Sequence, residues 1–414
     1  MKKIIIHKEL LVILFTALIL RIVLANFYAD NILRNEWNMI LHNHEISGVF
    51  GLNVVINEFL ALPKLAEIGD KVLPTVIIPP LYLYLIYLVK LIFNNPSNIA
   101  DIVISIQIFL SLFSILVFDK IIKLFSKKNS INIILLSIFS FFPMNVFAAS
   151  QISSITLQIF LILNFFYFLF LFNYNKNIKN LLLFSFFSGL LILIRGEFFL
   201  FYFFTIIYFF LFIEKNIRFI MISFIVVSML VTPYIFRNYQ NFDKLVLTKS
   251  FGYNLLKGNN PSFKVEGDYE IIKKIQISEK NIKTDNNYEI NLDNLFKEKA
   301  LEFIKEEPLS YIKLYFKKIF SFFFIDFNST YPNYYNLMHL APKITLSIVS
   351  LFGTVLAIKK RGNYQFLALY FILSVLLFSI FFILPRYNLI LLPIQLILCL
   401  KCIDYLRKDR EFKF

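Results

Sequence analysis

Uninterrupted apolar runs constrain this chain more than any other feature. Segments 131–149, 155–172, 198–213 and 364–384 contain no charged residue. A helix of about 20 apolar residues crosses the roughly 30 Å hydrocarbon core of a bilayer. Of all residues, 58% are hydrophobic, above the share of about half usual in soluble domains. The chain is therefore expected to be an all-α polytopic membrane protein. Ten spans are expected, at 10–27, 99–118, 131–149, 155–172, 180–194, 198–213, 217–235, 341–358, 364–384 and 387–406. Residues 10–27 read as a first span rather than a removable signal peptide. Two further apolar stretches, 75–93 and 314–327, compete for the same role.

Charge decides between them, because Lys and Arg mark cytoplasmic loops. With ten spans, the inner segments 1–9, 119–130, 173–179, 214–218, 359–363 and 401–414 together hold +13 of the net +15. Counting 75–93 as a span would place Lys120, Lys123, Lys127 and Lys128 outside. So 75–93, with Pro79-Pro80 opening a helix, is expected at the outer membrane surface. Segment 314–327 is expected there too, as an amphipathic helix. A positive charge located in this way points to topology, not to nucleic acid. The first outer loop, 28–98, is acidic in its 28–74 part, with six Asp/Glu against three Lys/Arg. Three regions follow: 1–235 as a transmembrane module carrying that loop, 236–340 as an outer region, and 341–414 as the final spans. The chemistry is expected outside.

Polar groups at membrane depth are expensive and commonly functional. Arg195 and Glu197 interrupt two apolar runs, either as a self-paired turn or as an anion and hydroxyl site. Arg237-Asn238 follow Pro233 at the end of another span, and Arg386-Tyr387 follow Pro385. The topology brings Arg195, Arg237 and Arg386 to one side, and guanidinium forks suit a phosphate. Arg21, in the first span, reads as a snorkelling side chain. Asp30 and Glu36 in the first loop are candidate general bases. His42 and His44 read as surface residues, and Cys399 and Cys402 as small buried hydrophobes. In 236–261, Gly252 and Gly258 permit turns. Tyr253, Asn254, Asn259 and Asn260 suit sugar hydroxyls or backbone capping equally well. Leu292, Leu295, Phe296, Phe303 and Ile304 mark an amphipathic outer helix over 291–305.

Several of these pieces, in this order, resemble the membrane glycosyltransferases of C-type fold, family 39-like, which include protein O-mannosyltransferases and aminoarabinose transferases of lipid A. They are Arg21 followed by Asn35-Glu36-Trp37, Pro79-Pro80-Leu81-Tyr82, and the stretch 187–195 ending in Arg195. Next come Thr232-Pro233 through Arg237-Asn238 to Gly252-Tyr253-Asn254 and Gly258-Asn259-Asn260-Pro261. Pro308 with Lys317, and Pro385-Arg386-Tyr387 with Pro393, complete the set. Asn35 stands where the family motif reads Asp, and 148–157 lacks the carboxylate many relatives carry after the third span.

The resemblance implies an inverting transferase in a bacterial inner membrane. It would move a monosaccharide from a polyprenyl-phosphate carrier to a lipid, glycan or protein acceptor on the outer face. Glu36 or Asp30 would act as base. Arg195, Arg237 and Arg386 would hold the phosphate, and Glu197, Asn238, Tyr82, Tyr253, Asn254, Asn259, Asn260 and Tyr387 would line the site. No metal or other cofactor is required in this scheme, and the partners are membrane lipids and the lipid-linked donor. A surface-polysaccharide polymerase or ligase, and a lipid-linked sugar flippase, are the alternatives.

Overall fold

A computed structural model describes residues 8–27, 74–93, 99–278 and 282–411, apart from 284, 332, 333 and 360. Asp30 and Glu36, with Asn35, His42 and His44, lie outside the described residues. The described residues form sixteen helices and no strand. The chain is an all-α polytopic membrane protein, as its apolar runs imply.

Helices α1 (Lys8–Phe27), α2 (Pro80–Ile92), α3 (Ile99–Phe125), α4 (Asn129–Phe141), α5 (Pro143–Ala149) and α6 (Ile155–Asn175) come first. They are followed by α7 (Ile178–Ile194), α8 (Phe198–Phe212) and α9 (Ile217–Phe242). Four helices come next, α10 (Phe251–Gly258), α11 (Tyr269–Ser278), α12 (Tyr288–Glu306) and α13 (Pro308–Phe323). The chain closes with α14 (Leu337–Ile358), α15 (Asn363–Ile380) and α16 (Pro385–Glu411).

Every expected span falls on helix, although 131–149 is a bent pair and 364–384 runs four residues past the end of α15. Among the described residues, seven helices are long and apolar enough to cross a bilayer. The pair α4–α5, bent by 50° at Phe142-Pro143, makes an eighth. The bend has a local cause: Pro143 supplies no N–H to continue the helical ladder. Helices α7 and α8, of 17 and 15 residues, are shorter. Helix α8 nevertheless runs beside α15. Tyr208 on α8 donates to the Gly362 carbonyl at 3.2 Å, while Phe201 contacts the ring of Phe378 toward the other end. The span expected at 217–235 continues to Phe242, with Pro233 inside it.

The two doubtful stretches are short helices. At 13 residues, α2 reaches about 20 Å, too little for the hydrocarbon core. It packs on α3 and α7. The buried stripe of α13 is Tyr311, Leu314, Lys318, Ser321 and Phe322. Its opposite face exposes Leu309, Ile312, Phe316 and Phe320. Helix α12 buries Leu292 and Phe296, as its period implies.

Consecutive spans run in opposite senses, which gives the bundle two ends. At one, the connections are short: Asn173 donates to Asn363 at 2.7 Å, and Lys176 pairs with Glu214 at 3.2 Å. The other, here the loop face, gathers 74–79, 150–154, 195–197, α10 to α13 and 381–384. Cross-links hold it together. Lys249 N donates to Val76 O at 2.9 Å, and Ile383 N to Val265 O at 3.0 Å.

The core between α6, α8 and α15 is aromatic. Tyr370 meets the rings of Phe166 at 5.1 Å and Phe201 at 4.8 Å, and Phe204 stacks on Phe366 at 5.9 Å. Edge and offset contacts of this kind add to the stabilisation from buried area. Large apolar side chains such as Phe15, Met229 and Phe352 are exposed around the bundle, a surface suited to lipid rather than water. Arg21 does not snorkel. It is fully buried, donating to Ser111 Oγ at 2.8 Å and to the carbonyls of Ala17 and Ser140 at 3.1 and 3.2 Å. Inside a bundle those acceptors are nearer than the interface, so the guanidinium turns inward.

Candidate functional site

Arg195 caps the C-terminal end of α7 in extended backbone, and the chain turns at once into α8. Its guanidinium pairs with Glu197 at 2.5 Å and lies over the ring of Tyr387, 5.7 Å from the centroid. Tyr387 belongs to the first turn of α16 and is itself seated against Phe378 at 5.4 Å and Phe382 at 6.0 Å. Arg386 precedes it, half-buried at the same rim. Arg195, Glu197 and Tyr387 thus form one unit across two spans, with Arg386 beside it.

Arg237 sits in the last turns of α9 and is buried. One terminal nitrogen donates to Thr75 O at 2.8 Å and to Asn238 Oδ1 at 2.9 Å. Its guanidinium packs on Phe242, 5.6 Å from the ring centroid. The Asn238 amide donates to Val246 O at 2.8 Å and Leu247 O at 3.2 Å. A Cβ built on Gly196 would lie 2.7 Å from Thr248 Oγ1. The 246–248 segment therefore touches Asn238 and Gly196, the residues next to the two arginines, and joins them into one floor. Arg237 is committed to that floor.

Glu289, on α12, is a carboxylate the sequence did not single out. It accepts from Thr75 Oγ1 at 2.9 Å, from Val76 N at 2.7 Å and from Ile77 N at 3.2 Å. Burial pushes its carboxyl above the usual range, against the pull of those hydrogen bonds and of Arg237. The segment entering α2 is thus pinned from both sides, by Glu289 through its N–H groups and by Arg237 through the Thr75 carbonyl.

Asn259 and Asn260 spend their amides on backbone carbonyls. Asn259 donates to Leu255 O and Ile380 O, both at 2.9 Å. Asn260 donates to Leu256 O and Lys257 O, and accepts from Ser262 N at 3.0 Å. Tyr253 N donates to Asp293 Oδ1 at 2.8 Å, so a carboxylate sits at the N-terminal turn of α10. Asn254 is half-buried on the same helix.

Gly252 and Gly258 lie within α10 rather than at turns. A Cβ on Gly252 would fall 1.8 Å from Asp293 O, and one on Gly258 1.9 Å from Phe381 O. Glycine is needed at both for close backbone approach.

Lys318 was hidden in the Lys317-Lys318 pair. It is fully buried, and its amine donates to Asn259 Oδ1 at 3.0 Å. Desolvation lowers its pKa to about 7.

Tyr82 on α2 donates to Gln107 Oε1 at 2.9 Å, and Gln107 donates to Gln151 O at 2.6 Å. The region after the bent span, where no carboxylate occurs, holds buried polar atoms with no partner. These are Gln151 Oε1, Ser153 Oγ, Thr156 Oγ1 and both ends of the Gln158 amide. Such groups are costly unless something binds them. Cys399 and Cys402 are buried free thiols. No group of three His, Cys, Asp or Glu suited to a metal occurs among the described residues.

The helices and the lipid-suited surface define an integral membrane protein, with the polar floor described above at its loop face. No family model matches the chain, and no curated protein matches it.

Proposed function

We propose that this protein is an inverting glycosyltransferase that takes a monosaccharide from a polyprenyl-phosphate carrier on the outer face of a bacterial inner membrane. The observation that carries the proposal is the Arg195–Glu197–Tyr387 unit with Arg386 at its side, held at the mouth of the spans. A guanidinium braced by an aromatic ring and a carboxylate, at the depth of a lipid headgroup, suits a phosphate whose charge grows as the sugar leaves. The short α2 and α13 helices support it, since each exposes apolar side chains, Leu88 and Leu91 on one and Ile312 and Phe316 on the other, that suit a prenyl chain.

In this scheme the acceptor hydroxyl attacks the anomeric carbon while the bond to the phosphate oxygen breaks. The configuration inverts and the hydroxyl proton passes to a carboxylate, Glu36 or Asp30. Arg195 and Arg386 hold the departing lipid phosphate. Arg237 fixes the floor under them and acts through position. The unpartnered Ser153, Thr156 and Gln158 groups suit hydroxyls of a sugar or acceptor. The acceptor is a lipid, glycan or protein.

The test is transfer in membranes from a radiolabelled polyprenyl-phosphate monosaccharide, with Glu36→Gln and Asp30→Asn made separately. One of the two is expected to abolish transfer while leaving the protein folded. Full activity in both would remove the proposed base. A deletion strain that accumulates an oligosaccharide prenyl pyrophosphate instead of a single-sugar prenyl phosphate would favour a polymerase or ligase.

A further inference from the structure

A second polar site opens on another face of α16, with Pro385 in its lining. There a cavity opens between the bent pair α4–α5 and the parallel helices α14 and α16. His339, Lys343 and Ser347 follow one another at steps of four residues along α14, so they share one face. Asn388 and Gln395 face them from α16. Phe142 and Met144 form the third wall, and Leu346, Leu389 and Leu392 make the surrounding lining apolar.

Several of these polar atoms are unspent. Ser347 is almost wholly buried, yet its hydroxyl has no partner, and neither does Asn388 Oδ1. Pro393 supplies no N–H, so the Leu389 carbonyl lacks its helical donor. Lys343 is buried within an apolar helix, its amine donating to Ser321 O at 2.7 Å and reaching Tyr334 Oη at 3.5 Å. His339 Nδ1 lies 2.8 Å from the Tyr334 carbonyl. A carbonyl only accepts, so that nitrogen carries the proton and Nε2 is left for another partner. The lining includes two bases and no acid. Asp326 is the carboxylate that acts on Lys343, and it accepts from Asn328 N at 3.0 Å.

A polar file of this kind inside an apolar bundle is expensive and persists where something uses it. We infer that the cavity between α5, α14 and α16 binds the phosphate of an anionic lipid. Lys343 takes the headgroup charge, His339 Nε2 accepts from a headgroup hydroxyl, the Ser347 hydroxyl donates to a phosphate oxygen, and Asn388 Oδ1 accepts from a second hydroxyl. The site stands independently of the sugar-transfer proposal, because none of its residues belongs to the Arg195 unit.

Native mass spectrometry on delipidated full-length protein tests it, with dioleoylphosphatidylglycerol or dioleoylphosphatidylcholine added at equal concentration. Retention of one phosphatidylglycerol, in clear excess over phosphatidylcholine, is expected. Lys343→Gln should lower that retention about tenfold, the loss of one charge-assisted hydrogen bond. Ser347→Val, which fills the space without touching the amine, should lower it too, and Lys313→Gln on the exposed face of α13 should not. Elution of each variant at the wild-type position on size exclusion establishes folding. Equal retention of the two lipids, or undiminished retention in both Lys343→Gln and Ser347→Val, overturns the inference. So does thermal stabilisation by 20 mM inorganic phosphate with no preference for the anionic lipid, which would assign the site to a free anion.

Discussion

Replacing Lys318 with Met removes a buried amine that is kept near its titration point, and the consequence depends on pH in a calculable way. In the folded protein the amine titrates at about 7 and in the unfolded chain near 10.5. Between those values the unfolded chain binds a proton that the folded protein does not, so wild-type stability rises with pH across that window. Below pH 7 the folded protein must hold a desolvated ammonium, at a cost of up to roughly 5 kcal/mol from a shift of 3.5 units. Linkage puts the cost near 5 kcal/mol at pH 6 and near 2 kcal/mol at pH 9. Met fills a similar volume without the charge. It leaves Asn259 Oδ1 without its donor, a loss of about 1 kcal/mol that does not vary with pH. Lys318→Met is therefore expected to be more stable than wild type at pH 6, with the advantage shrinking by about 3 kcal/mol by pH 9. Denaturant unfolding in detergent at both pH values, followed by far-UV circular dichroism, measures the difference. An advantage that stays constant with pH, or that grows on raising it, refutes the account of Lys318 as a desolvated amine.

Other perturbations have equally local causes. Gly258→Ala puts a methyl 1.9 Å from the Phe381 carbonyl, so the α10 end must separate from the 381–384 connection. A lowered unfolding midpoint, worth roughly 2–3 kcal/mol, is expected. Glu289→Ala strands the donors of Thr75, Val76 and Ile77 and removes the carboxylate that acts on Arg237. About 3 kcal/mol of stability should be lost, and less in Glu289→Gln, which keeps an acceptor. Arg195→Lys keeps a charge but not the planar fork over Tyr387, so under the proposed sugar transfer kcat should fall about tenfold or more with little change in unfolding midpoint.

Sequence period and charge carried most of the architecture. Ten apolar runs became ten helical positions, and the two stretches set apart by charge and amphipathicity are α2 and α13, of 13 and 16 residues. What the sequence hid is a matter of direction rather than composition. Lys317 and Lys318 are neighbours in sequence, but only Lys318 falls on the stripe of Tyr311 and Leu314; a pattern of basic residues does not reveal that without the helix axis. Arg21 looked free to reach the interface because its partners, Ser111 and the Ser140 carbonyl, come from α3 and α4. Glu289 is one of many carboxylates in a balanced segment, and only its meeting with residues 75–77 makes it special. The Asn-rich 236–261 block was legible as a place and not as a use, since an Asn edge fits a carbonyl and a sugar equally.

The close contact between α14 and α16 has a mechanical consequence. A Cβ on Gly353 would sit 2.0 Å from the Leu398 carbonyl, so the two backbones touch there. Gly353 lies ten residues beyond Lys343, and Leu398 ten beyond Asn388, a lever of about 15 Å on each helix. The pair is riveted at that depth, and higher up the side chains of Lys343, Ser347, Asn388 and Leu392 line the gap between them. Anything wedged between Lys343 and Asn388 would swing the upper arms apart about the rivet. The displacement would be delivered to Pro385 and its neighbour Arg386, at the rim where the Arg195 unit sits.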